Sequence, residues 1–289
     1  MEARVTTIFR TAQPADIPPC GKAMYEAFKD IAERHNFPPD FPSADAAGGL
    51  LGMMLEAPGF EAAVAEDDGE IVGSIFVSRR SPVGGISVIT VDPKAQNRTI
   101  GRQLMQHGMA ILEQSGHTRQ QLVQAAYHNR SLCLYAKLGF IASEVLSTMT
   151  GKPIKADIPG RTVRPASEAD AAACNQLCRN VHGFDRAGEV AGSISQGTAA
   201  VVESDGRITG YTSGVGFVGH GVGECNEDLK ALIASVDEFA GPGIMIPTSN
   251  GELFRWGLEN GLRVVQQMIL MDTAPTGPPT GVYWPAVLC

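Results

Sequence analysis

The chain has 289 residues, 44% of them hydrophobic, and 31 acidic against 23 basic side chains give a formal net charge of −8. That length favours two domains over one, and the apolar share suffices for a packed core. The acidic balance argues against a general nucleic-acid binder, no apolar run is long enough to span a membrane, and residues 1–6 carry no apolar signal core, so a cytoplasmic protein is expected.

In chain order, the first part reads as a strand over 8–12, a helix over 15–35, the loop Phe37-Pro38-Pro39-Asp40-Phe41-Pro42 and a helix over 44–55. Strands follow over 61–66, 71–79 and 85–91, then a helix over 100–115 with Ile100, Leu104, Gly108, Ile111 and Leu112 on one face. A strand over 120–126, a short helix around Tyr135 and a strand over 140–146 complete this part. The six cysteines are scattered. Cys174 and Cys178 sit four apart on a predicted helix, but no second Cys/His pair has zinc spacing, so structural thiols and no metal are expected.

Between the strand ending at Val91 and the helix starting at Ile100 lies Asp92-Pro93-Lys94-Ala95-Gln96-Asn97-Arg98-Thr99. Such a turn aims successive N–H groups into one concavity, and the helix N-terminus adds its partial positive charge. This is a site for a phosphate or pyrophosphate, with Arg98 and Arg102 flanking it. The glycines of a Rossmann fingerprint or a Walker loop are missing, and an ordinary strand–turn–helix is the alternative. The run resembles the acetyl-CoA motif of the GNAT family of N-acyltransferases, Val-x-Pro-x-x-Gln/Arg-x-x-Gly-x-Gly/Ala. Val91, Pro93, Gln96 and Gly101 match, and Thr99 stands where the family has glycine. A Cβ there should crowd the ligand, and the Thr99 hydroxyl could cap the helix itself.

The segment Asn129-Arg130-Ser131-Leu132-Cys133-Leu134-Tyr135-Ala136-Lys137-Leu138-Gly139-Phe140 resembles the family's second motif, a short helix with a tyrosine that ends in Gly-Phe. The resemblance makes Tyr135 the acid that protonates the leaving thiolate. A phenol suits that task, because it stays protonated at neutral pH. Counted back from Tyr135, the family's usual asparagine falls on His128, with Asn129 one place nearer. The cofactor contacts implied by the resemblance are Ile89 and Val91 on the strand, Gln96, Asn97, Arg98, Thr99, Ile100, Gly101 and Arg102 in the turn, and Asn129. A backbone N–H near Val91 would steady the thioester oxygen. The strand Ser87–Val91 holds no carboxylate, so the general base is open among Glu33, His35, Asp40, Asp45 and His128.

An internal repeat divides the chain. Arg10, Ala12, Ala15 and Asp16 recur in register as Arg164, Ala166, Ala169 and Asp170, and Cys20 recurs as Cys174. The hairpin around Asp68-Gly69 recurs around Asp205-Gly206. Duplication is the reading, with residues 1–150 the first copy, 151–160 the linker and 161–289 the second copy with a proline- and glycine-rich tail. In the second copy a helix predicted from Asn226 begins with acidic residues, which repel phosphate. The tyrosine slot, counted from Gly261, holds Gly257, and Trp256 beside it is a packing residue. The run from Gly214 to Gly223 reads as a bulged strand or a loop that approaches a ligand closely. The tail with Tyr283-Trp284 reads as an arm laid over its own domain.

The fold expected from the resemblance is α/β (α+β): two tandem GNAT folds, each a mixed, mostly antiparallel sheet flanked by helices. The expected function is direct acetyl transfer from acetyl-CoA, or another short acyl-CoA, to a primary amine of a small molecule. The alternatives are a non-catalytic acyl-CoA-binding protein and a tandem enzyme like mycothiol synthase. Oligomeric state is not legible.

Overall fold

Strand and helix boundaries fall close to those read from hydrophobic periodicity in a computed structural model that describes residues 7–288. The segment 1–6 lies outside the described residues. By mutual contact the chain divides into two units, one formed by residues up to 79 with 84–120, the other by 80–83 with 121 onward. No described helix is long and apolar enough to cross a membrane.

The first unit runs β1 (Ile8–Thr11), a 3-10 turn, α1 (Ile17–Arg34), α2 (Ala44–Glu56), β2 (Phe60–Asp67), β3 (Glu70–Ser78), β4 (Gly84–Val91) and α3 (Ile100–Gln114). Its strands pair antiparallel in the order β1-β2-β3-β4. The β2–β3 hairpin turns at Asp68 and Gly69, both at positive φ (53° and 80°), as a tight hairpin of matching twist demands. Cys20 of α1 bonds Ser74 on one face of β3. On the other face Gly108 lets α3 settle on Ile75, since a Cβ there would come within 2.5 Å of it. α1 and α2 meet at paired glycines, where a Cβ on Gly21 would lie 2.6 Å from the Gly48 Cα.

The second unit takes up β5 (Gln120–Ala125), α4 (Asn129–Lys137) and β6 (Ile141–Thr150), then β7 (Thr162–Pro165), α5 (Ala171–His182), α6 (Ala187–Ser195), β8 (Ala200–Ser204), β9 (Arg207–Thr212) and β10 (Gly221–Gly223). α7 (Asn226–Ala234), β11 (Ile244–Pro247), α8 (Gly251–Glu259), β12 (Arg263–Asp272) and β13 (Val282–Trp284) follow. One antiparallel array runs β5-β12-β6-β11 and the other β13-β10-β9-β8-β7. The strands of the two copies are interleaved in the first array: β12 sits between β5 and β6, and β6 between β12 and β11. Gln121 donates to Asp272 across that seam at 2.6 Å, both residues buried.

The repeat is visible down to its ion pairs. Arg10 grips the Asp16 carboxylate with both terminal nitrogens (2.7 and 2.9 Å) and Glu66 with Nε (2.8 Å). Arg164 does the same to Asp170 (2.8 and 2.8 Å) and Glu203 (2.9 Å). The second hairpin turns at Asp205 and Gly206, again at positive φ. Cys174 and Cys178 are buried free thiols of the α5 core, and Trp256 packs against the core around Leu253 and Leu262.

Because the atoms facing Gly21 are backbone, its neighbours have little room to yield. Gly21→Ala is expected to lower unfolding free energy by about 1–3 kcal/mol, measured by urea denaturation.

Candidate functional site

The turn after β4 is held by its own side chains. The Asp92 carboxylate accepts from the Lys94 N–H at 2.8 Å, and Gln96 Nε2 donates to the Val91 carbonyl at 3.2 Å. Asn97 (φ 66°) and Thr99 (φ 67°) are both left-handed, so the backbone winds around Arg98 into the start of α3. No backbone N–H of residues 97–102 donates to a protein acceptor among the described residues; the first one satisfied is that of Gln103, by the Thr99 carbonyl at 3.1 Å. A run of open donors at the N-terminus of a fifteen-residue helix is an anion site by its dipoles and its shape.

Two expectations for this turn need adjustment. Thr99 occupies the N-cap position but does not cap: its hydroxyl donates to the Arg98 carbonyl at 2.6 Å, leaving the helix donors open. Its left-handed φ explains why a glycine suits this slot, and a β-branched residue there stores backbone strain. Arg98 does not flank the site as a free charge, because it is paired with the largely buried Asp67 at 2.7 Å and ties the turn to the end of β2. Arg102 is exposed and has no ion pair among the described residues, so it is the guanidinium available to an anion. Ile89 and Val91 stand half-buried on β4, opposite Ile75 and Gly73 of β3.

The second unit holds Tyr135 and Asn129, and so does not share a unit with the turn. Tyr135 is 7% exposed, and burial pushes its phenol up to about 12, against the smaller opposing effect of a hydrogen bond with Ser131 one turn earlier. Phe140 meets its ring edge-on at 6.3 Å, and Gly139, at φ 96°, turns the chain out of the helix. Asn129 is the first residue of α4 and exposed, and His128 is its N-cap. Among the candidate bases, His35 Nδ1 donates to the Ile31 carbonyl at 2.9 Å. Asp45 sits in the first turn of α2, and Glu33 is exposed on α1. Asp40 has no ion pair or hydrogen bond among the described residues; its side chain is exposed at the surface, and crowding by the surrounding loop shifts its carboxyl up to about 6.

Residues 21–140 match the family model described as the acetyltransferase (GNAT) family. Residues 21–140 thus carry a domain similar to the GNAT acetyltransferases. No curated protein matches the sequence. Among solved structures, a Pyrococcus horikoshii protein assigned as an acetyltransferase is 15% identical, with 98% of this chain and 96% of that one covered at a TM-score of 0.71. A GCN5-related N-acetyltransferase from Sphaerobacter thermophilus is 17% identical over 96% and 98% of the two chains, TM-score 0.60. A tandem GNAT protein from the clavulanic acid biosynthesis pathway is 14% identical over 94% and 100%, TM-score 0.56. At such identities the likeness is one of fold, and the fold is two GNAT folds in tandem.

At the corresponding strand–helix junction of the second copy the backbone donors have a protein acceptor. At the N-terminus of α7 the Asp228 carboxylate, fully buried, accepts from the N–H groups of Glu224 and Cys225 at 3.1 Å each, from Thr209 Oγ1 at 2.7 Å and from Arg161 Nε at 2.7 Å. In the tyrosine slot of α8, Gly257 is buried against Met149.

Sequence reasoning missed a buried polar cluster in the second unit. Glu189 pairs with Arg186 at 2.9 Å and with His220 Nδ1 at 2.9 Å, and His220 Nε2 meets the Tyr211 hydroxyl at 3.0 Å. Ser213 Oγ touches the same Nδ1 at 3.1 Å, Cys178 lies against Tyr211, and the loop residue Arg80 is held at α6 by the Gly188 N–H, which donates to its carbonyl at 3.2 Å. No motif marks this cluster, because its members are distant in sequence. Burial holds the His220 pKa below its ordinary 6.5, with Arg186 and Arg80 adding to the effect against the pull of Glu189.

Two predictions follow from these sites. Thr99→Gly relieves the left-handed strain and is expected to raise unfolding free energy by roughly 0.5–1 kcal/mol in urea denaturation, after glycine's entropy is counted. His220 is neutral in the fold and protonates more readily when unfolded. Its contribution is therefore complete above pH 6.5 and declines as the pH falls below that value. The thermal midpoint should drop on acidification below 6.5, and less steeply in His220→Gln.

Proposed function

We propose that the first copy binds acetyl-CoA, or another short acyl-CoA, and transfers the acyl group directly to the primary amine of a small molecule. The observation that carries this reading is the row of open N–H donors from Asn97 to Arg102 at the start of α3. The family match over residues 21–140 supports acyl transfer; the donor, the acceptor and the residue roles are the proposal.

The donors of the turn and the Arg102 guanidinium hold the diphosphate. Ile89 and Val91 carry the edge of β4 that guides the pantetheine arm. A backbone N–H near Val91 steadies the thioester oxygen as charge develops on it. The Asp40 carboxylate takes a proton from the bound ammonium, and the neutral amine so formed attacks. The amine nitrogen bonds to the acyl carbon, the carbon–sulfur bond breaks, and the Tyr135 phenol gives its proton to the departing sulfur. The surplus proton on the acylated nitrogen passes to solvent, and Tyr135 regains a proton from solvent. The chain's net charge of −8 favours a cationic acceptor.

Calorimetric titration with acetyl-CoA, followed by an amine screen, tests this. Tyr135→Phe is expected to lower kcat by about 10²–10⁴-fold while the Kd for acetyl-CoA stays the same. In the wild type kcat should rise with pH through about 6 as the Asp40 carboxylate forms, and Asp40→Asn should abolish that limb. Binding without turnover on any amine would favour a non-catalytic acyl-CoA-binding protein instead.

A further inference from the structure

The two copies run through the same order of elements, so each part of one has a counterpart in the other. β10 corresponds to β4, α7 to α3 and β11 to β5. β13 has no counterpart in the first copy. It pairs antiparallel with β10, with Gly221 opposite Trp284, Val222 opposite Tyr283 and Gly223 opposite Val282. The other edge of β10 is taken by β9, and β13 also packs beside β11. β13 therefore lies between the counterparts of β4 and β5.

The second copy is shaped to receive it. Trp284 is fully buried and lies over Gly221, where a Cβ would come within 2.5 Å of the indole. Gly281 passes Gly223 so closely that its own Cβ would stand 2.5 Å from that residue's carbonyl oxygen. The Thr280 N–H donates to the Val181 carbonyl at 3.1 Å, and its hydroxyl to the Asn180 carbonyl at 2.6 Å. Beyond the strand, the Val287 N–H donates to Phe217 at 2.9 Å. Gly221 and Gly223 of the run 214–223 thus serve a close approach by the chain's own tail, while Gly216 lies against Ala240 and Gly219 against Gly214. At the far end of the same groove the Asp228 carboxylate takes the donors of the β10–α7 junction.

We propose that the C-terminal segment 280–288 and Asp228 together occupy the groove of the second copy that corresponds to the acyl-CoA groove of the first. β13 stands where the pantetheine arm would pair, and the carboxylate stands where the diphosphate would sit. This rests on the function proposed above for what the first groove binds. The second copy is then complete without ligand, and the chain takes up one acyl-CoA. The open donors of the first copy, by contrast, remain to be satisfied from outside.

Hydrogen–deuterium exchange of the full chain with and without acetyl-CoA, alongside calorimetry, tests this. In the free protein, amides of 221–223 and 282–284 should exchange slowly. Saturating acetyl-CoA should slow exchange across 89–102 by about 10-fold or more, leave 221–234 unchanged and bind at one site. A second equivalent bound, with slowing at 221–234, would overturn the proposal. So would unprotected exchange at 282–284 in the free protein. Absence of any binding would overturn the function proposed for the first copy, while slow exchange at 221–223 and 282–284 would still support the tail as the occupant of the second groove.

Discussion

A strand that ends where a helix begins leaves backbone N–H groups without partners, and both copies are organised around that deficit. In the first copy the donors of residues 97–102 converge and stay open, with Arg102 beside them. In the second copy the same junction is two residues long and its donors are taken by Asp228, itself neutralised by Arg161. One carboxylate in the right place makes this junction a structural joint. The cost of burying that charge is offset by four hydrogen bonds, one of them from a guanidinium.

The framework that holds the first junction open is built from close approaches. Gly108 brings α3 down on β3, and Gly21 and Gly48 bring α1 and α2 together. Gln96 and Asp92 fold the turn onto the end of β4, and Arg98 fastens it to Asp67. The open donors are thus fixed in place before any ligand arrives, which spares the reorganisation that a flexible loop would undergo.

Local chemistry was legible in the sequence, and long-range pairing was not. The Asp68-Gly69 and Asp205-Gly206 turns, the helix faces and the phosphate turn each follow from residues adjacent in the chain. The Arg-Asp recurrence announced the duplication, and the Glu66 and Glu203 partners appear only once the strands pair. Thr99 could be seen as a departure, but its left-handed φ could not. The placement of β12 between β5 and β6, the cluster around His220 and the seat of Trp284 depend on contacts between segments far apart, for which spacing carries no signal.

The interleaving of β12 and β6 ties the halves more firmly than the linker does. Severing the chain in the linker would leave one fragment with β5 and β6 but no strand between them, and the other with β11 and β12 separated by a missing neighbour. Each fragment would present bare strand edges that only the other can match. The duplication is therefore no longer reversible by gene fission: the two repeats have become obligate complements, and selection acts on them as a single folding unit.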